Sequence, residues 1–285
     1  MIDFHTHTRY SKHATGEIED IIQSAINSQI KILCITDHAP YFIDSQNRIL
    51  ESELIEYIES INSYRAIYSD KIKVLVGLEV DYHPDHEEYI SDLLTDNTLD
   101  FVLGAIHYIY VNDEKVNVWD IENLSRDGFL EQYFIYMDKM ICSGLFDSIA
   151  HPDTILRAGI PAKMFFDRFV PLANKMKTNN VSYEINCSSL NKSNLDVSTG
   201  RRCIGIATYP DFDLLTFLSR QGVNFTIGSD AHSPSHVGFG ILDNLNKCRK
   251  YGIEKLSYYE SRLRIELTVD ELIRQMGVVD GDNRV

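Results

Sequence analysis

Met1-Ile2-Asp3-Phe4-His5-Thr6-His7 is a short apolar run that ends in His-x-His. Residues two apart on a strand point to the same side, so His5 and His7 can bring both imidazoles to one point, as two ligands of one metal ion must. Taken alone, the pair is as readily one buried, hydrogen-bonded histidine beside one solvated histidine. It gains weight because the same event, an apolar run closed by a metal-type residue, recurs outward from it along the whole chain.

Lys31–Thr36 closes on Asp37-His38, and Lys73–Val80 carries Glu79 inside an apolar stretch. Phe101–Ile106 closes on His107, Ser148–Ala150 on His151, and Ser182–Ile185 on Asn186. Asn224–Gly228 closes on Ser229-Asp230-Ala231-His232. Helical spacing fills the intervals. Glu17–Ser28 places Ile18, Ile21, Ile22, Ala25 and Ile26 on one face. Further helices are predicted near 51–68, 128–142, 162–178 and 211–220, and a short last one opens with the capping box Thr268-x-x-Glu271. The residues from about 277 to 285 read as a disordered tail. Repeats, low-complexity segments and linkers are missing, so residues 1–285 are predicted to form one domain.

Seven short buried-type strands alternating with helices imply an α/β fold with a parallel sheet. An open sheet gathers its active residues at one switch point, whereas a barrel draws them from the C-terminal ends of many strands. Here every strand ends in a polar residue, which is barrel behaviour. The predicted fold is a distorted seven-stranded TIM-like (β/α)7 barrel, one unit short of the eight-fold form.

The bulk composition narrows the function. Hydrophobic residues make up 44% of 285, enough for a sizeable core. No apolar run reaches the ~18 residues of a membrane span. The start of the chain lacks the basic and apolar regions of a signal peptide. Cys34, Cys142, Cys187, Cys203 and Cys248 are scattered, with Cys34 and Cys142 read as core; a disulfide framework and a zinc ribbon are both disfavoured. A cytoplasmic protein is expected. The net charge of −15 argues against a nucleic-acid partner, and an anionic ligand would need local positive charge, such as metal ions. Neither a membrane partner nor an oligomeric state is indicated.

Only His13, His83, His86 and His236 of the 10 histidines lie off the strand ends. Imidazole and carboxylate together suit zinc, manganese or iron rather than calcium. The possible ligands are His5, His7, His13, His38, Glu79, His107, His151, Asp230 and His232. They exceed the needs of one ion, so two to three divalent ions are expected. Any one strand-end histidine is more often structural than a ligand. Glu79 differs, because a buried carboxylate without a cation is costly. Glu79 and Asp230 are read as the carboxylates available to bridge ions. His83 and His86 are read as surface and His236 as structural. Asp3 and Asp37 either orient imidazoles or are structural.

The set His5-x-His7, His13, Thr36-Asp37-His38, Gly77-Leu78-Glu79, His107, His151-Pro152-Asp153 and Ser229-Asp230-Ala231-His232 resembles the PHP (polymerase and histidinol phosphatase) superfamily. Gly77–Tyr82, Gly104–Tyr108, Ser143–Phe146 and Ser229–Pro234 with Val237-Gly238-Phe239 resemble its histidinol-phosphate phosphatase branch. The resemblance runs to about residue 265. It implies a trinuclear site: His5, His7, Glu79 and Asp230 on one ion; Glu79, His107 and His151 on a second; His13, His38 and His232 on a third. His13 becomes a ligand only on this ground. One stretch departs from the branch, which reads close to Asn-Thr-Ser-Gly-Leu-Arg after strand 6. This chain reads Asn186-Cys187-Ser188-Ser189-Leu190-Asn191, so Arg157, Lys192, Arg201 or Arg202 must replace the arginine, or the substrate differs.

Phosphomonoester hydrolysis is among the slowest uncatalysed reactions, and histidine acid–base catalysis alone supplies only ~10²–10⁴-fold. Metal ions supply more, since a bound water can drop to a pKa of about 7. The expected activity is therefore hydrolysis of a small phosphomonoester, L-histidinol phosphate by the branch resemblance, which would place the protein in histidine biosynthesis. The expected step is in-line attack by a metal-bridging hydroxide, with Glu79, Asp230 and His232 as the catalytic residues. Arg157, Asn186, Arg201 and Tyr108 are the expected substrate contacts. Tyr41, Phe42, Tyr108, Tyr110 and Trp119 could pack on a flat ring, and Asp44 or Asp120 could meet an ammonium. The alternatives are a phosphatase or phosphodiesterase for another small phosphoester, and a non-catalytic metal-binding regulatory domain. A metal-dependent amidohydrolase is a fourth reading, for which no strand-end lysine is found.

Overall fold

The computed structural model describes residues 1–95, 97–119 and 126–275. Asp120, expected as a substrate contact, and the tail from 277 to 285 lie outside the described residues. Seven strands form one sheet in chain order: β1 Ile2–Asp3, β2 Ile32–Ile35, β3 Lys73–Asp81, β4 Phe101–Ala105, β5 Ser148–Ile149, β6 Ser182–Asn186 and β7 Phe225–Gly228. Each neighbouring pair is parallel. β7 returns to β1: the Phe4 amide donates to the Ile227 carbonyl at 3.0 Å, and Thr6 bridges Ala231. These few contacts nearly close a seven-stranded barrel.

The strands have both faces covered, as parallel strands require. β3 is the longest, and all its residues after Lys73 are buried. Gly77 lets it sit between its neighbours: a Cβ there would lie 2.8 Å from Cys34 Sγ and 3.0 Å from the Phe101 carbonyl. Helices α1 Ile18–Asn27, α2 Leu54–Ile67, α3 Glu87–Thr95 and α4 Arg126–Cys142 lie in the first half of the chain. α1 buries Ile18, Ile21, Ile22 and Ala25, the stripe read from the sequence. α5 Ala162–Phe169 and α6 Ala173–Thr178 replace the single predicted helix. A 3-10 turn at Val170–Leu172 separates them, where Pro171 has no N–H for an α-helical bond. α7 Phe212–Gln221, α8 Ile241–Lys250 and α9 Val269–Arg274 follow, and α9 opens on the predicted capping box.

Helices α3 and α8 and three hairpins are additions to the predicted pattern. The hairpin Lys255–Glu260/Leu263–Thr268 covers the N-terminal end of the barrel, where the Tyr259 hydroxyl meets the Asp147 carbonyl and the Ser182 hydroxyl. The hairpins Tyr108–Val111/Glu114–Asn117 and Asn194–Asp196/Arg201–Cys203 stand in the loops beyond β4 and β6. Cys34 is buried as expected, but Cys142, the last residue of α4, is exposed, because Met140 and Ile141 take the inward positions. Among the described residues no helix is long and apolar enough to cross a membrane.

Candidate metal centre

The C-terminal ends of the strands bring the nine candidate ligands together. A parallel bridge between His38 and Glu79 sets their two strand ends level. Asp230 turns off β7 in left-handed backbone at φ 51°, and His151 leaves β5 at φ 29°. His13 comes from the turn after β1. Ligand atoms converge in four overlapping groups: His5/His7/Asp230, His5/Glu79/His151, His38/Glu79/His107 and His7/His38/His232. His13 joins through its Nε2, 3.1 Å from His232 Nε2. These groups share members and cut across the three sets implied by the resemblance.

Glu79 is at the centre. Its Oε1 lies 3.0 Å from His151 Nε2 and 3.5 Å from His107 Nε2. Its Oε2 lies 3.0 Å from His38 Nδ1, 3.3 Å from His5 Nε2 and 3.5 Å from His7 Nε2. Oε2 is buried and makes no hydrogen bond with any of them, nor does His38 Nδ1. Burial would raise the Glu79 pKa, but His38, His5 and His107 hold it well below the usual range. Asp230 behaves alike: burial opposes ionisation, while Lys192 and His5 favour it and prevail.

The outer partners fix the rings. His5 Nδ1 lies 2.6 Å from Glu184 Oε1, and His107 Nδ1 lies 2.7 Å from Asp81 Oδ1. His13 Nδ1 meets the Ser11 carbonyl at 2.7 Å, and His232 Nδ1 meets the Asp230 carbonyl at 3.0 Å. Carboxylates and carbonyls only accept, so each Nδ1 carries the proton and each Nε2 points inward. Burial lowers the pKa of both His13 and His232. Their Nε2 lone pairs therefore face each other at 3.1 Å, an arrangement that a cation between them relieves. Around His5, burial is overcome by Glu184, Glu79 and Asp230, which hold its pKa well above the usual value. The site attracts positive charge, and its donor set fits divalent ions of the zinc, manganese or iron type.

Above the cluster lies a cavity of about 410 Å³. His13, His38, Glu79, His107, His151, Asp230 and His232 line its base, while His5 and His7 are wholly buried beneath. Asp44, Asn47 and Arg48 line one wall from the loop after β2, and Tyr108 and Trp119 come from the segment after β4. Arg157 and Lys192 enter from the loops after β5 and β6. Lys192 Nζ is 3.1 Å from Asp230 Oδ2, and the Arg157 guanidinium lies 5.0 Å from the Trp119 ring centre.

Other predicted contacts lie elsewhere. Arg201 is exposed on its hairpin and does not line the cavity. Asn186 is buried behind Asp230 and Glu184, holding both with its amide. Arg202 donates to the Trp119 and Ser193 carbonyls. Tyr41 is buried, Phe42 is exposed and Tyr110 packs on His83; none of the three lines the cavity. His83 and His86 are half-buried rather than surface residues, because Tyr136 and Tyr41 bond them through their hydroxyls. His236 lies outside the cluster, against Phe239. Asp3 and Asp37 touch no imidazole nitrogen. Asp3 accepts from Ser229 and Gly238. Asp37 accepts from Thr8 and Ser11, and Ser11 in turn meets His7 Nδ1 at 3.2 Å.

Sequence reading missed Glu184, Asp81 and Arg48. Glu184 also accepts the His151 amide at 2.6 Å, so it steadies two candidate ligands. Its signal was present, a carboxylate inside an apolar strand, as for Glu79. Asp81 shares a strand face with Glu79, two residues away. Arg48 is buried and pairs with Asp81, yet nothing in its sequence context marks it.

A parallel barrel whose strand ends gather imidazoles and carboxylates belongs to the class of metal-binding barrels. The PHP domain model matches residues 3–188, well over half of the chain, and the chain belongs to that family. A "Probable histidinol-phosphatase" of Deinococcus radiodurans is 29% identical over 272 residues, covering 93% of this chain and 98% of its own. The histidinol-phosphatase of Lactococcus lactis is 22% identical over 267 residues, covering 90% and 94%. A solved structure of the histidinol phosphate phosphatase from Lactococcus lactis, complexed with zinc, L-histidinol and phosphate, matches with a TM-score of 0.77. It is 20% identical and covers 93% of this chain and 98% of its own, a likeness of fold.

Proposed function

We propose that this chain is a metal-dependent phosphatase that hydrolyses L-histidinol phosphate to L-histidinol and phosphate, a step of histidine biosynthesis in the cytoplasm. The observation that carries this reading is the nine-residue donor cluster around Glu79 at the base of a cavity walled by Arg157 and Lys192. The names of the relatives supply the substrate.

Two or three divalent ions, zinc, manganese or iron, would be held by His5, His7, His13, His38, Glu79, His107, His151, Asp230 and His232. Bound there, they supply Lewis acidity, activating water and offsetting charge on the phosphoryl oxygens. The chain's own residues do the rest. Glu79 presents an oxygen to each side of the cluster and holds it together. Glu184 and Asp81 keep the protons of His5 and His107 on Nδ1, so that Nε2 is free to ligate. Lys192 and Arg157 place positive charge where the phosphate arrives, in the absence of an arginine at position 191. Asp230 and His232 border the cavity at the reacting end, and the ring of Trp119 offers a flat face beside His107.

A phosphatase or phosphodiesterase for another small phosphoester is the second reading, favoured by Asn191 and Ser189. A non-catalytic domain is disfavoured, since all nine donors are in place. The test is Glu79→Gln. The expected result is loss of bound metal together with loss of phosphate release by at least about 10³-fold. Activity near wild type would overturn the mechanism.

A further inference from the structure

One wall of the cavity carries Arg157 and Lys192, and the other carries the carboxylate of Asp44 beside Arg48, whose charge is paired with Asp81. Arg157 and Lys192 enter after β5 and β6, and Asp44 and Tyr108 enter after β2 and β4, so barrel order sets the Lys192 loop across the mouth from the Asp44 loop. Asp44 is held by neutral groups. Its Oδ1 accepts from the Asn47 amide at 2.6 Å and its Oδ2 from the Tyr108 hydroxyl at 2.9 Å. Arg48 is adjacent, but its Nη2 is taken by Asp81 and its Nε donates to the Asp44 backbone carbonyl at 3.2 Å. The Asp44 carboxylate thus lines a ligand cavity with no direct ion pair among the described residues, Arg48 acting on it only from beyond contact distance. Its backbone is left-handed, at φ 61° and ψ 45°, at the head of the 3-10 turn Ser45–Asn47.

A phosphate dianion would be repelled at Asp44 and drawn to the opposite wall. A substrate filling both ends must therefore be bipolar. We infer that Asp44 is the specificity-determining residue of this site, selecting phosphomonoesters that carry an ammonium group over neutral esters of the same size. This inference rests on the phosphatase reading and names the side chain that reads the amine. Arg48 ties the Asp44 loop to Asp81 and so to His107.

The experiment compares wild type with Asp44→Asn on two esters, L-histidinol phosphate and its deamino analogue 3-(imidazol-4-yl)propyl phosphate. Asparagine tolerates left-handed backbone and retains a side-chain oxygen, so the loop is preserved. The expected result is a KM for the amino ester raised about 10- to 100-fold with kcat little changed, and both constants unchanged for the deamino ester. Equal losses on both esters, or no loss on the amino ester, would overturn the assignment. A second readout is independent of turnover. Trp119 is the only tryptophan and lines the cavity, so its fluorescence reports binding of L-histidinol and of the deamino alcohol. If wild type hydrolyses neither ester, the phosphatase reading fails. Asp44 is then judged by fluorescence alone: selective weakening of L-histidinol binding in D44N supports it, and equal binding of L-histidinol by the two proteins refutes it.

Discussion

Glu184 has no ligand role in the expected sets, yet it holds His5 Nδ1 at 2.6 Å and the His151 amide at 2.6 Å. Partners of this kind fix the tautomer of a ligating ring and raise its basicity, and removing one typically costs 10–100-fold in metal affinity. Glu184→Gln is expected to weaken metal binding by about that factor, measured by competition with a chromophoric chelator. Unchanged affinity would show that Glu184 serves only packing. At this scale the sequence was informative where a residue type is rare inside a strand. Six strand-end histidines and Glu79 could be read because polar residues there need a reason. The carboxylates behind them could not be ranked, since whether Asp37 faces an imidazole or a hydroxyl depends on a turn of a few residues.

At the scale of elements, the seam between β1 and β7 is the tightest point near the site. A Cβ on Gly228 would lie 2.4 Å from His5 Cβ, 2.8 Å from Glu184 Oε1 and 3.0 Å from the His5 amide nitrogen. Backbone stands on one side, so a side chain there forces β1 away from β7. Gly228→Ala is expected to destabilise the fold by about 2–4 kcal/mol and to lower metal content, measured by denaturant unfolding and metal analysis. Wild-type stability would contradict this packing. The barrel strands were legible because each is a short apolar run with a marked end. Two hairpins differ in how readable they were. Asn112 and Asp113 both have positive φ, at 51° and 66°, a region these two residue types tolerate, although no hairpin was predicted there. Ser261 and Arg262 adopt the same region at 51° and 64°, but neither residue type announces it. Their strain is held by tertiary contacts: Asp100 takes the Ser261 amide, and Arg262 reaches Asp147. Helix α3 was not predicted although Ile90, Leu93 and Leu94 stand at helical spacing, because the stripe spans little more than one turn and only Ile90 is fully buried.

For the whole molecule, a cluster of imidazoles and carboxylates that leaves the buried Glu79 Oε2 and His38 Nδ1 without hydrogen bonds should be stabilised by the ions it binds. Stripping metal with a chelator is expected to lower Tm by about 5–10 °C, and zinc or manganese should restore it. An unchanged melt would argue against a built metal site. Protons act on stability away from that cluster as well. Burial pushes Asp147 up to about 6, against the pull of Arg262 and the Val102 amide. A raised acid binds its proton in the folded chain while the unfolded chain has released it. Its share of stability is thus complete below about pH 4, declines as pH rises to about 6, and is lost above. Asp147→Asn should flatten the pH dependence of unfolding free energy between pH 4 and 6 by up to about 3 kcal/mol, read as a slope against wild type. Identical slopes would contradict the shift.

The measurement that bears most directly on function is phosphate release by metal-loaded and metal-stripped protein. L-histidinol phosphate would be compared with several other phosphomonoesters and with one phosphodiester. The predicted result is a kcat/KM for L-histidinol phosphate at least about 10²-fold above the others, abolished on stripping and restored by zinc or manganese. A higher kcat/KM on another ester, or hydrolysis that survives complete removal of metal, would contradict it.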